Sequence, residues 1–145
     1  MTDDRFNLQR FVAAQHDEME RVLAELKDGC KRGHWMWFVF PQLRGLGRSP
    51  MANLYGISSC AEAEAYWEHP VLGPKLAECT NLVNLVEERS IQEIFGSTDA
   101  MKFRSSMTLF AQAARNIGVF SDALDKYFAG LPDRLTLNLL GQIGN

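Results

Sequence analysis

Apolar residues recur at helical spacing along most of the chain, and the stripe nearest the N-terminus is the most regular. It predicts one helix from Leu8 to about Asp28, with charged residues on its other faces. Asn7 is placed to cap the start of this helix, and Gly29 can end it in the left-handed conformation. The stripe consists of Leu8, Phe11, Val12, Met19, Val22 and Leu26.

Aromatic rings dominate the segment from Gly33 to Gln42. It holds two of the three tryptophans and two of the nine phenylalanines. Such residues favour strands, but no second strand-like run is present to pair with this one, and each unpaired buried backbone group costs about 1–3 kcal/mol. We therefore predict a short helix that stops at Pro41. The rings should face inward, because each one buries roughly 150–250 Å².

Serine residues mark where three further helices begin. Each can accept a hydrogen bond from an amide of the first turn, and two have a glutamate three residues later, as in a capping box. The caps are Ser49 before Pro50, Ser59 with Glu62, and Ser90 with Glu93. A loop from Leu43 to Ser49 precedes the first of these helices. The second should run from about Cys60 to His69 and the third should close at Gly96, while a longer helix spans roughly Pro74 to Glu88.

A long helix is predicted from about Asp99 to Asn116, after caps available at Ser97 and Thr98. At 100° per residue, Lys102 and Ser106 fall on one margin of its apolar stripe. A polar pair beside the core is a candidate pocket lip. The stripe consists of Phe103, Met107, Phe110, Ala114 and Ile117.

The rest of the chain predicts two more helices and completes an all-α fold. One runs from Ser121 to Phe128 and ends at Gly130, and the last is capped by Asp133. The last helix should turn Leu135, Leu139 and Leu140 inward. We expect a compact single domain over residues 1–145, with about six to eight short and medium helices and a core from about 8–140. A chain of 145 residues can bury roughly 68–70% of its unfolded surface.

Composition narrows the function classes. The formal net charge is -3, which disfavours a protein whose main task is to coat nucleic acid or an anionic membrane. No apolar run approaches the roughly 20 residues that span a bilayer. The first five residues lack the features of a secretory signal, so we expect a cytoplasmic protein.

Cysteine and histidine spacing gives no metal motif. The three cysteines are far apart without a CxxC pair, and the histidines form no HxxxH pair. These residues are Cys30, Cys60, Cys79, His16, His34 and His69. We expect reduced, buried thiols and no metal site, and no cofactor follows from the sequence.

Basic residues frame the ring-dense segment and give the first candidate chemistry. They could cradle a phosphate while Trp35 or Trp37 stacks on a base. The alternative is that they are solvated charges at the ends of a buried helix. The flanking cations are Lys31, Arg32, Arg44 and Arg48.

Three residues are candidates for catalysis: His34, Lys102 and Ser106. His34 could act as a general acid or base, since its unperturbed pKa lies near neutrality, or it could be a core histidine. A lysine of lowered pKa could activate Ser106 or Ser105. However, the lysine precedes the serines here, which reverses the SxxK order.

Gln42, Tyr55, Ser105 and His69 are further candidate ligand contacts. Gln42 and Tyr55 could orient a polar ligand or satisfy buried carbonyls. His69 is also placed to interact with the C-terminal end of a helix, where the macrodipole favours a cation.

Four segments together resemble a bacterial family, domain of unknown function 1810. These are Lys31–Gln42, Gly45–Gly47, Glu68–Gly73 and Lys102–Phe110, and the resemblance covers about residues 8–140. It implies a compact all-helical single domain and supplies no activity, although some members carry the label calpastatin. Cys30 departs from the family pattern, in which a basic residue is expected before Lys31. That departure weakens the case for an extended positive cluster.

Three function classes follow. The first is a small enzyme or binding domain for a phosphorylated or nucleotide-like ligand, in a pocket formed by residues 31–42 and 102–106. The second is a protein-interaction module that uses the Trp35–Phe40 surface. Nucleic-acid binding is a weaker third, given the acidic balance. The oligomeric state does not follow from the sequence.

Overall fold

The chain folds into helices that pack around one long helix. The computed structural model describes residues 4–142, and this range contains ten helices and no β-strand. They are α1 Gln9–His16, α2 Met19–Lys27, α3 Met36–Val39, α4 Pro50–Tyr55, α5 Cys60–Glu68, α6 Leu72–Leu85, α7 Ile91–Phe95, α8 Ser97–Ala113, α9 Val119–Phe128 and α10 Arg134–Gln142. The all-α prediction is confirmed. The helices are more numerous than expected because the chain breaks into shorter pieces than its periodicity suggests.

Two helices, α1 and α2, carry the stripe that predicted a single helix from Leu8 to Asp28. The chain turns between them, where the Glu18 amide donates to the Gln15 carbonyl at 3.1 Å. Phe11 in α1 and Val22 in α2 are nevertheless both fully buried. They lie eleven residues apart, close to a whole number of 3.6-residue turns. The break therefore leaves the apolar periodicity intact, and the pattern could not reveal it.

Asp4, and not the predicted cap Asn7, accepts hydrogen bonds from the free amides at the start of α1. The Asp4 carboxylate accepts from the amides of Leu8 at 2.6 Å and Gln9 at 3.0 Å. Asn7 has a φ of 54° and lies outside the helix. A carboxylate outcompetes an amide side chain here because it offers two charged acceptor oxygens to two free amides.

The three predicted serine caps are confirmed. Each hydroxyl accepts an amide of its first turn at 3.1 Å. The caps are Ser49, Ser59 and Ser90. Ser90 forms a complete capping box with Glu93. Glu62 does not close its box, because its carboxylate accepts instead from the amide and hydroxyl of Ser58.

The ring-dense segment forms the predicted short helix, α3, which ends before Pro41. Trp35, Phe38 and Phe40 are buried, and Trp37 is half-buried. The ring of Phe40 meets that of Phe103 edge-on, with centroids 5.1 Å apart. This contact joins the residue that follows α3 to α8.

The long helix α8 is the centre of the core, and it contacts α5, α7, α9 and α10. Phe103, Met107 and Phe110 are fully buried along it, as predicted. Ile117 is 38% exposed, contrary to expectation, because α8 ends at Ala113. None of the helices in residues 4–142 is long and apolar enough to cross a membrane.

Other boundaries shift by a few residues. The helix predicted to start at Pro74 starts at Leu72 and ends at Leu85. Its second residue, Gly73, lies so close to α5 that an added Cβ would come within 2.0 Å of the Trp67 carbonyl oxygen. Asp133 caps α10 as predicted, accepting from the Thr136 amide at 2.9 Å.

The last helix buries only part of its predicted apolar side. Leu140 is buried and Leu139 packs against the core, but Leu135 is 52% exposed. This corrects the expectation that Leu135 points inward. The first turn of α10 lies at the edge of the fold, where side chains line surface hollows.

A buried ion pair joins α1 to α5. The Arg10 guanidinium lies 2.8 Å from the Glu62 carboxylate, and the two side chains are 10% and 2% exposed. Arg10 also donates to the carbonyls of Leu54 and Gly56, on either side of Tyr55. One side chain therefore fixes the end of α4 against α1.

We predict that Glu62→Gln lowers the free energy of unfolding by about 3–5 kcal/mol, because it leaves a buried guanidinium without its counter-charge. Urea denaturation would measure the loss. Glu78→Gln is the matched control, since Glu78 pairs with Lys75 at an exposed site, where such pairs contribute about 0–1 kcal/mol. Equal losses in the two variants would contradict the prediction.

Candidate functional site

Two lysines share one carboxylate at the start of α8. Lys31 Nζ lies 2.8 Å from one oxygen of Asp99, and Lys102 Nζ lies 3.4 Å from the other. Each ammonium also lies over an indole ring, Lys31 at 5.2 Å from the Trp35 centroid and Lys102 at 4.7 Å from the Trp37 centroid. Because two cations share one anion, the cluster of Lys31, Asp99 and Lys102 keeps a net positive charge. The indole rings stabilise both ammonium groups by cation–π interactions.

The carboxylate of Glu25 holds the loop that brings Lys31 to this cluster. One of its oxygens accepts from the amides of Arg32 and Gly33 at 2.7 and 2.9 Å, and from the indole Nε1 of Trp35 at 2.9 Å. Burial by itself raises the pKa of Glu25. These three hydrogen bonds, with the nearby charge of Arg21, outweigh burial and hold the pKa below its usual value.

Two adjoining hollows meet at Lys102. The larger, which we call the Lys102 hollow, has a volume of about 400 Å³. The smaller, the aromatic pit, holds about 10 Å³, enough for about one water molecule. The Lys102 hollow is lined by Gln42, Leu46, Gly47, Thr98, Met101, Lys102, Ser105, Asp133 and Leu135. The aromatic pit is lined by Met36, Trp37, Phe40, Gln42, Ala52, Tyr55, Gly56 and Lys102.

Glycine shapes one wall of the Lys102 hollow. A Cβ added to Gly47 would lie 2.8 Å from the Cβ of Ala52, so the loop can approach α4 only without a side chain. This approach brings the loop to the edge of the hollow beside Gln42.

The structure brings together five of the eleven residues predicted for the site. Trp37, Gln42 and Tyr55 line the aromatic pit, and Gln42, Lys102 and Ser105 line the Lys102 hollow. Lys31 joins them indirectly, through the carboxylate that it shares with Lys102.

The other predicted residues lie elsewhere. Trp35 is fully buried behind Lys31, and Arg32 is exposed and pairs with Asp28 at 3.3 Å. His34 is exposed. His69 ends α5, where its Nδ1 accepts from the amides of Val71 and Leu72. None of these four lines either hollow.

Of the two candidate serines, Ser105 lines the Lys102 hollow and Ser106 does not. The side chain of Ser106 is fully buried, and its hydroxyl has no hydrogen-bond partner in the part of the chain that the structure describes. Ser105 reaches the Lys102 hollow, and its hydroxyl donates to the Met101 carbonyl at 3.1 Å. Ser106 lies beside the core, as its angle on the helix predicts. That angle does not reveal whether a hollow or a neighbouring helix covers the position.

Asp99 and Glu25 organise the cluster, although neither is among the predicted site residues. Asp99 lies three residues before Lys102 on one helix, a spacing at which side chains meet. Glu25 lies between the buried Val22 and Leu26 on α2, and an acidic residue next to an apolar stripe needs a partner when it is buried. Both signals were present in the sequence. They did not reveal that Asp99 also pairs with Lys31, or that Glu25 binds the loop before α3.

None of the three cysteines lines either hollow. All three are free; Cys79 is buried, while Cys30 and Cys60 are half-buried. Burial raises the pKa of Cys79 to about 12 and also raises the pKa of Cys60. Within residues 4–142, no three His, Cys, Asp or Glu side chains are grouped so as to hold a metal ion.

Comparisons with known proteins give one family and a solved structure. The model of the family described as protein of unknown function (DUF1810) matches residues 5–140. The crystal structure of the conserved hypothetical protein Rv1873 from Mycobacterium tuberculosis, at 1.38 Å, is similar to this chain with a TM-score of 0.94 and 58% sequence identity. The match covers 95% of this chain and 99% of that one. The search of curated proteins gave no match.

We predict that Trp35→Ala lowers the free energy of unfolding by about 3–5 kcal/mol, as for other buried aromatic residues, and that Trp37→Ala lowers it by clearly less. Trp35 is fully buried and donates to Glu25, whereas Trp37 keeps part of its ring in water. Guanidinium denaturation of both variants would measure the difference. Equal losses would show that the two rings are buried alike.

We predict that the stabilisation from the Glu25 carboxylate is lost in acid. The pKa of Glu25 in the folded protein lies below its usual value of 4.5, so the carboxylate stabilises the fold fully above about that pH. The stabilisation then disappears as the pH falls through the lowered folded value. Unfolding free energies of the wild type and Glu25→Gln, measured from pH 7 downwards, should therefore converge in acid.

Glu93 also has a lowered pKa, because it accepts from the amide and hydroxyl of Ser90. It is present in both proteins, so its titration cancels in this comparison. A difference between wild type and Glu25→Gln that widens on acidification would contradict the prediction.

Proposed function

This chain belongs to the DUF1810 family, whose function is unknown, and we propose from its geometry that it binds a small phosphorylated or nucleotide-like molecule in the Lys102 hollow. The observation that carries this proposal is the arrangement of Lys31, Asp99 and Lys102. Lys102 lies at the wall of the hollow and shares its only ion-pair partner in residues 4–142 with Lys31. Its ammonium therefore retains positive charge that an anionic ligand can neutralise.

The size and lining of the hollow suit such a ligand. Small-molecule sites commonly measure about 300–1,000 Å³ and combine an apolar lining with a few polar groups. The hollow of about 400 Å³ has apolar walls from Leu46, Met101 and Leu135. Gln42 and Thr98 add hydrogen-bonding groups beside Lys102.

The start of α8 adds to the preference for an anion. Thr98 lies in the first turn of this 17-residue helix and lines the hollow, and the N-terminal end of a helix carries partial positive charge. Asp133 also reaches the hollow. Its carboxylate accepts from the amide and hydroxyl of Thr136 at 2.9 and 2.6 Å, so part of its acceptor capacity is already used.

If the ligand is a nucleotide, its base would have to lie in the Lys102 hollow, because the space between Trp37 and Tyr55 is too small for a ring. The aromatic pit between those two residues has room for about one water molecule. The phosphate would then approach Lys102, while the ring or sugar contacts Leu46 and Leu135.

The geometry supports ligand binding more strongly than it supports catalysis. Of the three candidate catalytic residues, Lys102 alone lines the hollow, while His34 is exposed and Ser106 is buried. The protein-interaction alternative loses support as well, since Trp37 is the only side chain of Trp35–Phe40 that is not buried. Nucleic-acid binding stays a prediction that a salt-dependent gel shift would address.

We predict that ribose 5-phosphate or AMP raises the melting temperature in a thermal-shift assay, whereas ribose or adenosine at the same concentration does not. Saturation at about 100 times the dissociation constant stabilises a fold by about 2.7 kcal/mol. Lys102→Gln should abolish the shift, because it removes the charge that holds the phosphate.

Lys75→Gln is the matched control, since Lys75 is a partly exposed lysine of α6 that lines neither hollow. It should keep the wild-type shift. A phosphate-dependent shift that survives Lys102→Gln would place the ligand elsewhere. The absence of any shift with either phosphate compound would refute the proposal.

A further inference from the structure

Exposed apolar side chains gather on one face of the molecule, beside the Lys102 hollow. In the part of the chain whose side chains the structure describes, seven large apolar residues are exposed, and three of them border the same surface: Met101 at 71%, Leu131 at 60% and Leu135 at 52%. Apolar side chains scattered singly over a surface are ordinary, but a gathered set often marks a contact site.

A second hollow lies on this face, which we call the α10 groove. It has a volume of about 680 Å³ and lies between the start of α10, the loop before it and Arg104 of α8. Leu131, Arg134 and Asn138 also line it, and it shares Asp133 and Leu135 with the Lys102 hollow.

The walls of the α10 groove are fixed by hydrogen bonds within the protein. Arg104 Nε donates to the Leu131 carbonyl at 3.0 Å, and the guanidinium lies over the Phe128 ring. The Asp133 amide donates to the Thr108 hydroxyl at 2.8 Å. The loop before α10 is thus attached to α8 at two points, so contacts within the chain itself form the groove.

The charges that line the groove are mainly positive, on a chain whose net charge is -3. Arg104 and Arg134 line it, and no ion pair involves either one in residues 4–142. The facing anion is Asp133, whose carboxylate already accepts from the Thr136 amide and hydroxyl. An occupant that carries carboxylates would therefore complement the groove.

We propose that the α10 groove binds a peptide segment of a partner protein in which acidic residues alternate with large apolar ones. The apolar side chains would cover Leu131 and Leu135, and the carboxylates would pair with Arg104 and Arg134. This site is separate from the phosphate site proposed above, although the two share a rim.

The spread of the lining favours a peptide over a small molecule. The groove of about 680 Å³ extends from Arg104 on α8, across Leu131 in the loop, to Arg134, Leu135 and Asn138 on α10. A peptide collects its contacts along an extended path and needs no enclosure. A second copy of this chain could also present acidic and apolar residues, so the test separates that case.

The test uses three fluorescein-labelled synthetic peptides of equal length: one alternating glutamate and leucine, one with lysine in place of glutamate, and one with serine in place of leucine. Fluorescence anisotropy with the full chain should show binding by the glutamate-leucine peptide alone. Arg134→Glu should weaken that binding at least about tenfold, because it reverses a charge in the groove.

Arg115→Glu is the matched control, because Arg115 is an exposed arginine after the end of α8 and causes the same change in net charge. It should leave the peptide affinity within about twofold of the wild-type value. Leu131→Ser should weaken binding, whereas Leu85→Ser, which changes an exposed leucine outside the groove, should not. Lys102→Gln should leave peptide binding intact, which separates this site from the phosphate site.

Three results would overturn the proposal. The first is no binding of the glutamate-leucine peptide at about 1 mM, a concentration that would detect even weak affinity. The second is a lack of charge specificity. It would appear as equal binding by the lysine-leucine peptide, or as an equal loss of peptide affinity with Arg134→Glu and Arg115→Glu. The third is a concentration-dependent dimer in sedimentation experiments that Arg134→Glu abolishes, which would assign the groove to a second copy of this chain.

Discussion

The carboxylate of Glu25 is the interaction on which the arrangement of the ring-dense segment depends. It receives two backbone amides and the indole of Trp35 at 2.7–2.9 Å. Hydrogen bonds to a charged group each contribute about 1.5–3 kcal/mol. They fix the loop before α3 so that Trp35 can be fully buried. The backbone ahead of α3 therefore needs no partner strand, because a side chain of α2 supplies the missing acceptor.

The position of Lys31 follows from that arrangement. Its side chain is only 8% exposed, and Asp99 and the Trp35 ring surround its ammonium. A lysine buried to this extent needs a counter-charge, and Asp99 provides it from the first turn of α8. Because Asp99 also pairs with Lys102, the loop before α3 and the wall of the Lys102 hollow are coupled through one carboxylate. A change at that carboxylate would alter both.

The two proposed sites, the Lys102 hollow and the α10 groove, differ in the contacts that their positively charged side chains make. In the Lys102 hollow, the lysine ammonium pairs with the Asp99 carboxylate, which Lys31 also contacts. In the α10 groove, the guanidinium of Arg104 is fixed by a carbonyl and a ring, which gives a preformed positive wall. The first arrangement leaves positive charge for the small anionic ligand proposed above. The second suits a longer partner, because fixed groups cost less side-chain entropy on binding.

The sequence marked Lys102, Gln42 and Tyr55 as candidate site residues, and all three line the two hollows. By itself it also determined the all-helical class, the serine caps and the short helix before Pro41. These features depend on neighbours within a few positions along the chain, such as a hydroxyl and the amide three residues later, or a proline that cannot continue a helix. The inward face of α8 was also readable, since its period of 3.6 residues records which side meets the core.

Only the tertiary structure decided which residues meet across the chain. The spacing of apolar residues does not reveal the turn between α1 and α2, because the apolar stripe keeps the same phase on both sides of the turn. Ser105 lines the hollow in place of Ser106 because neighbouring helices cover one side of α8 and leave the other open. Asp99 joins Lys31 to Lys102 across about seventy positions of sequence. Local pattern carries no information on such contacts, since they depend on how separate helices dock.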